Sequence, residues 1–310
     1  TRESSKASLR LWSAGASWVV DARAERLSAG RILWMALAMF GMSRLLMLAA
    51  TSIYAAANGS FAYYWEHLWE HWRRWDARHY LDLMEQWYVT EGDLRLSLVF
   101  FPLYPLLGRA LVLLGVPARA AGMLISNAAL IGCGWVLTAL VQETYGAKIA
   151  RRTLALFFFC PVTFFFSMPY TESVFLLTTL MAVWLARRGR FGWAVVCGAL
   201  AANARMVGMA TAIPIFWEML RRAWDDYARR NVHARRTDGA FVKKALGCVL
   251  RVLPVSVGLL LYLALNWQLY RNPLQFLIFQ RENWSQQMGS LANTVHYTLA
   301  NALVYDKLLY

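Results

Sequence analysis

The sequence predicts an all-α polytopic membrane protein with about eight spans, and three observations carry that prediction. Of the 310 residues, 59% are hydrophobic and 16% charged, with a mean hydropathy of +0.37, well outside the composition of soluble domains. The apolar residues gather in runs that approach the roughly 20 residues needed to cross about 30 Å of hydrocarbon. The basic residues, which set a net charge of +14 and a pI near 10.0, fall in stretches between those runs. In a soluble chain this balance would point to nucleic acid, but no nucleic-acid-binding motif is present. In a membrane protein it reads as the cytoplasmic bias of Lys and Arg. The expected partners therefore include membrane lipids and exclude nucleic acid.

The elements follow in order. A basic, polar segment, 1–31, is expected in the cytoplasm, and the apolar run 32–54 after it reads as a signal anchor, not a cleavable leader. Further runs lie at 98–116, 120–142, 152–167, 173–186, 191–204, 206–220, 247–269 and from about 298. If all of these crossed, the basic stretches 187–190 and 221–251 would both lie outside. The weakest run is 98–116, which carries Pro102, Pro105 and Arg109; proline breaks the helical ladder and arginine is costly in lipid. It is read as a re-entrant or interfacial helix on the outer side. Six Lys and Arg in 1–31, three in 143–152, three in 187–190 and nine in 221–251, about two thirds of the 32, then share the cytoplasmic face.

Residues 32–310 thus read as a single transmembrane domain in which 55–119 forms a large first outer loop. Smaller outer segments are expected at 168–172, near 205 and at 271–297. The chain begins with Thr1, and Leu303 to Tyr310 lie in an unfinished apolar run, so the C-terminus is expected to be truncated. Cys133, Cys160, Cys197 and Cys248 are widely spaced within apolar runs and read as free thiols.

The first outer loop alternates aromatic and charged residues at helical spacing, with tryptophans at 65, 69, 72 and 75, the pattern of amphipathic helices lying in the headgroup region. Within it WRRWDARHY sets one carboxylate, Asp76, beside Trp75, with His79 and Tyr80 one turn later. A carboxylate held there is suited to take a proton from a substrate hydroxyl; the bland alternative is a wet pairing with Arg73 or Arg78. Glu172, in YTES after Tyr170, and Arg205 stand at span mouths, where an arginine fork suits phosphate. Their bland alternative is a structural ion pair. Arg119, after Pro117, is a second candidate for phosphate, and Arg44 inside the first span has either a snorkelling or a carboxylate-pairing role. His67 and His71 are four apart, but EHLWEH is not the zincin order, so no metal site is expected. No GxSxG, Walker or dinucleotide motif is present.

These segments together, WDARHY (75–80), FFPLYPLL (100–107), ARR (150–152), FFFSMPYTESVFLL (164–177), RRG (187–189), ARMVG (204–208) and NPLQFL (272–277) with Trp284, resemble the PIG-V-like mannosyltransferases of the C-type (GT-C) superfamily. The similarity runs from about residue 30 to 290. The chain departs from relatives in having Arg271-Asn272-Pro273-Leu274 where they often have GDPL, and ARMVG where many have TRPVG.

The resemblance implies a GT-C-like bundle and transfer of a sugar, most readily mannose, from a polyprenyl-phosphate donor to a hydroxyl of a glycan or glycolipid acceptor, with inversion. It implies Asp76 as catalytic base, Arg205 and more weakly Arg119 at the donor phosphate, and Trp75, His79, Tyr80, Tyr104, Tyr170 and Glu172 as substrate-binding candidates. Trp75 and Tyr104 offer surfaces on which a sugar or prenyl chain stacks. No nucleotide or essential metal cofactor is implied, with a divalent ion left as an alternative. The Ala- and Arg-rich character favours a bacterial plasma membrane, with the endoplasmic reticulum as the alternative and the site on the extracytoplasmic or luminal side. The competing classes are a lipid or small-molecule transporter or flippase, which shares broken helices and buried charges, and a metal-dependent hydrolase using the histidines.

Overall fold

The computed structural model describes residues 26–230, 239–284 and 290–305. Most of the 1–31 segment, part of the basic stretch 221–251, part of 271–297 and the last residues of the C-terminal run lie outside the described residues. The described chain is helical, without strands. It comprises α1 (Ala29–Ala57), α2 (Phe61–Glu66), α3 (Leu68–Trp72), α4 (Ala77–Gln86), α5 (Leu103–Leu113), α6 (Ala118–Phe159), α7 (Glu172–Arg187), α8 (Phe191–Ala204), α9 (Ala212–Arg230), α10 (Gly239–Val252), α11 (Val257–Tyr270), α12 (Gln275–Trp284) and α13 (Leu291–Tyr305). Single 3-10 turns occupy Asp93–Val99, Pro161–Phe164, Met206–Thr211 and Leu253–Ser256.

Three helical stretches among the described residues are long and apolar enough to cross a membrane: Ala29–Ala57, Ala118–Phe159 and Phe241–Tyr270. On α1 large apolar side chains stay exposed, among them Trp34 at 75%, Leu45 at 69% and Ile53 at 70%, which in water would be a patch needing cover and in lipid is an ordinary surface. α5 and α8 are shorter apolar helices. With 11 residues, α5 is about 16 Å long, half a hydrocarbon thickness.

The chain divides into two compact units, one of residues 1–87 and 100–262, the other of 88–99 and 263–310. In the first, α6 is not one rod. A straight helix of its 42 residues would extend about 63 Å, yet a side chain at Gly134 would meet both Phe158 and Leu154. The chain reverses at Gly146, whose φ of 80° and ψ of 169° lie in a region reserved for glycine. Leu130, Leu154 and Phe158 then close around Ala36 of α1. The returning arm ends at Phe159, because Pro161 pushes Cys160 into extended backbone. The expected single run 152–167 is therefore corrected to a helix that stops at Phe159 and a 3-10 turn after it. Likewise, 206–220 starts as a 3-10 turn and becomes α-helical only at Ala212.

α7 and α8 form a hairpin through Gly189 (φ 75°). Small residues let α8 approach its neighbours closely: Ala182, Ala194, Val195, Ile215, Cys248 and Val255 make one core. A side chain on Gly208 would strike the Ala201 backbone, and one on Gly258 would strike the Ala199 carbonyl. These contacts give the first unit two ends. One end gathers the close of α1, the starts of α6 and α7 and the close of α8, tied by Arg44 to Ser167 and Thr171 to Ala204. The other gathers the start of α1, the Gly146 reversal and the α7–α8 turn, tied by Leu27 to Gln142 and Arg188 to Glu143.

In the second unit the Tyr270 hydroxyl donates to the Val89 carbonyl at 3.3 Å, its ring packs edge-on against Phe279 at 5.4 Å, and the Asn266 side chain accepts the Phe276 amide at 3.1 Å. The expected 271–297 segment thus carries helix α12.

Candidate active site

The first end of this unit is built from three chain breaks, each placing one charged side chain. The first lies between α3 and α4. Trp75 takes a left-handed φ of 52°, a conformation costing about 1 kcal/mol or more for a bulky residue. Asp76 then stands at the N-cap of α4. Aspartate favours that position because its carboxylate can accept the first free amides, yet here the side chain makes no capping bond. Among the described residues no cation lies within salt-bridge distance of it, and Arg78 turns instead to Asp82 at 3.9 Å. Among the described residues the alternative pairing of Asp76 with Arg73 or Arg78 does not form.

α4 is anchored beneath this carboxylate by Ala77, Tyr80, Leu81, Leu83 and Met84, all buried. Arg109 of α5 donates to the Glu85 carbonyl at 3.0 Å, where a cation suits the C-terminal end of a helix. Arg109 thus ties α5 to the end of α4.

The second break is the turn between α6 and α7. Its Tyr170 hydroxyl donates to the Arg74 carbonyl at 2.9 Å, clipping the Asp76 loop to the residue two before Glu172. Trp72 packs edge-on against Phe164, and Trp75 tilts against Phe165. Glu172 opens α7, where the helix dipole favours an anion.

The third break follows α8. Arg205 is extended (φ −155°, ψ 144°), and its backbone is held from both sides: the Asn203 side chain donates to the Gly258 carbonyl at 2.7 Å, and Gly208 presses on Ala201. From this perch Arg205 Nη1 reaches Glu172 Oε1 at 2.5 Å and lies 6.0 Å over the Phe175 ring. With the side chains 44% and 32% exposed, such a pair is worth about 0–1 kcal/mol to stability, so stability alone gives little reason for it.

The electrostatics join the three breaks. Although Asp76 still meets solvent, the protein packed around it raises its carboxyl above the usual range, against the opposing pull of His79 and then Arg205. Burial lowers the His79 imidazole, partly offset by Asp76 and Asp82. Tyr170 is pushed up to about 12 by burial and by the Asp76 and Glu172 charges, and Tyr80 is raised by burial and the same two carboxylates. Asp76, His79, Tyr80, Tyr170, Glu172 and Arg205 therefore share one local field.

The other expected site residues divide. Trp75 is 66% exposed beside the site. Tyr104 is fully buried, its hydroxyl donating to the Gly122 carbonyl at 2.9 Å and bonded to Ser126 at 2.8 Å. With no free face for a sugar or prenyl chain, it braces Tyr80 from below at 5.2 Å, which corrects the stacking surface expected of it. Arg119 is exposed at the start of α6 and forms no hydrogen bond or ion pair with Asp76, Glu172 or Arg205. Arg44 meets no carboxylate among the described residues: it donates to the Ser167 hydroxyl at 2.5 Å.

The histidines do not converge. His67 stacks on Tyr63, His71 on Tyr64 and His79 on Phe100, and among the described residues no group of three or more His, Cys, Asp or Glu has metal-binding geometry. Phe100, the platform shared by His79 and Tyr80, is a site element that the charged motif by itself did not mark. Its signal was the FFPLYP run.

Comparison with known proteins points to one family. The profile of a family described as Mannosyltransferase (PIG-V) matches residues 30–272. The chain is 32% identical over 150 residues to GPI alpha-1,6-mannosyltransferase 2 of Rattus norvegicus, covering 44% of this chain and 30% of that protein. It is 33% identical over 150 residues to the protein of the same name from Mus musculus, covering 44% and 29%. The chain thus spans less than a third of the length of these relatives. No solved structure matches it.

Proposed function

The chain belongs to the PIG-V mannosyltransferase family, and from that premise we propose that it moves mannose from a polyprenyl-phosphate donor to a hydroxyl of a glycan or glycolipid acceptor. The observation that carries this reading is that the Tyr170 hydroxyl ties the Asp76 loop to the turn that opens into Glu172, which pairs with Arg205, at one end of a bundle of apolar helices. A lipid-linked donor approaches from within the bilayer, its phosphate meets a cation at the interface, and the acceptor arrives from water.

Asp76 takes the proton of the acceptor hydroxyl as that oxygen bonds to the anomeric carbon. The bond from that carbon to the phosphate oxygen breaks, and polyprenyl phosphate departs with the electron pair. A single displacement inverts the centre, so a β-linked donor gives an α-mannoside. The raised Asp76 carboxyl makes the stronger base. Arg205 stabilises the charge that grows on the departing phosphate, and Glu172 orients its guanidinium. Trp75 offers the exposed surface beside them.

The proposed setting is a multi-pass protein of about eight crossings in a GT-C layout, the site on the extracytoplasmic face and the Arg-rich turns on the cytoplasmic one. Membranes containing the chain, given radiolabelled polyprenyl-phosphate mannose, are expected to pass label from lipid to acceptor, and Asp76→Asn to slow this by about 10² to 10⁴-fold. Label that only crosses the bilayer would establish a transporter instead, and an Asp76→Asn variant with normal turnover would remove the base.

A further inference from the structure

At the end of the first unit opposite Asp76, a cavity of about 290 Å³ opens between the start of α1, the first arm of α6 and the end of α7. Ile32, Trp135 and Trp184 form its apolar side, and Arg26, Glu143 and Arg188 its charged side. The polar groups are unequally spent. Trp135 Nε1 donates to the Ala29 carbonyl at 3.1 Å. Glu143 accepts two bonds from Arg188, at 2.7 and 3.2 Å, so that pair is neutral.

What remains is cationic. Arg26 is exposed and makes no ion pair with a described residue. The Trp184 ring lines the apolar wall with the Arg188 guanidinium 4.2 Å over it. α1 also begins here, with Ser28 capping it, and its positive end faces the same side.

We propose that this cavity binds the phosphate headgroup of an anionic membrane lipid. Arg26, at the positive end of α1, addresses the phosphate oxygens, and the first acyl carbons run along Ile32 and the two indoles. The volume holds a glycerophosphate group but not a whole lipid, so the chains must leave it. They have a path, because Leu33 and Trp34, 44% and 75% exposed, continue the apolar surface outward along α1. Basic pockets between membrane helices are suited to such headgroups.

Native mass spectrometry of the full chain in neutral detergent, supplied with dioleoyl phosphatidylglycerol or dioleoyl phosphatidylcholine, tests this. One phosphatidylglycerol is expected to stay bound where phosphatidylcholine does not. Arg26→Gln is expected to weaken it about fivefold, while Lys243→Gln, at an exposed position on α10, leaves it unchanged. Equal retention of both lipids, or equal phosphatidylglycerol affinity in wild type and Arg26→Gln, would overturn the proposal. So would sodium glycerol 3-phosphate binding as tightly as the lipid, which would mark a soluble phosphate ligand. The readout is lipid occupancy and does not depend on sugar transfer.

Discussion

At the scale of single residues, what distinguishes Asp76 is what it is not used for. It occupies a favoured capping position without capping, and the nearest arginine on its own helix is occupied by Asp82. Its carboxyl is raised mainly by burial, and the sign of the consequence is definite. A base works ionised, so kcat/KM is expected to climb as pH rises through a value above the ordinary carboxylate pKa of about 3.9; a pH profile that keeps this acid limb in Asp76→Asn would reassign it. Stability runs the other way. The folded chain holds this proton to higher pH than the unfolded chain does, so the contribution is full below the unfolded pKa and is lost as pH rises through the folded one. Arg205→Lys keeps the charge but not the fork. It is expected to lower kcat and kcat/KM together by about 10 to 100-fold; a change confined to KM would show that Arg205 holds the ground state alone.

At the scale of elements, the site depends on where helices stop. Trp75, Cys160 and Arg205 each leave the helical region, and each stop has a local cause: a left-handed residue, a following proline, a clamp between glycines. Gly258 is the most exacting of these, since a side chain there would strike the Ala199 carbonyl. Gly258→Ala is expected to destabilise the protein by about 1–3 kcal/mol and to depress transfer through Asn203 and Arg205. Gly192→Ala, with open space around it, is the matched control. Thermal unfolding in detergent compares them, and equal melting temperatures would mean that α8 and α11 yield freely. The helices themselves were legible in the sequence because apolar runs and their breakers are local signals: 191–204 coincides with α8, and 173–186 lies within one residue of α7 at each end. The reversal at Gly146 was legible only as a gap between runs.

At the scale of the molecule, sidedness is the testable quantity. In a background where the exposed Cys160 is replaced by serine, Asn58→Cys is expected to react with a membrane-impermeant maleimide from outside, and Arg190→Cys only after permeabilisation. Both positions are exposed, so labelling from one side for the two would refute the proposed topology. The sequence by itself determined the all-helical class, the basic and aromatic segments and the residues worth weighing as chemistry, because hydropathy, proline and charge act over a few residues at a time. Only the tertiary structure decided that Asp76 and Arg205, 129 positions apart, share one field and that Tyr104 is sealed in the core. Those are matters of which helix ends meet, and burial and long-range charge follow from packing, which no local pattern encodes.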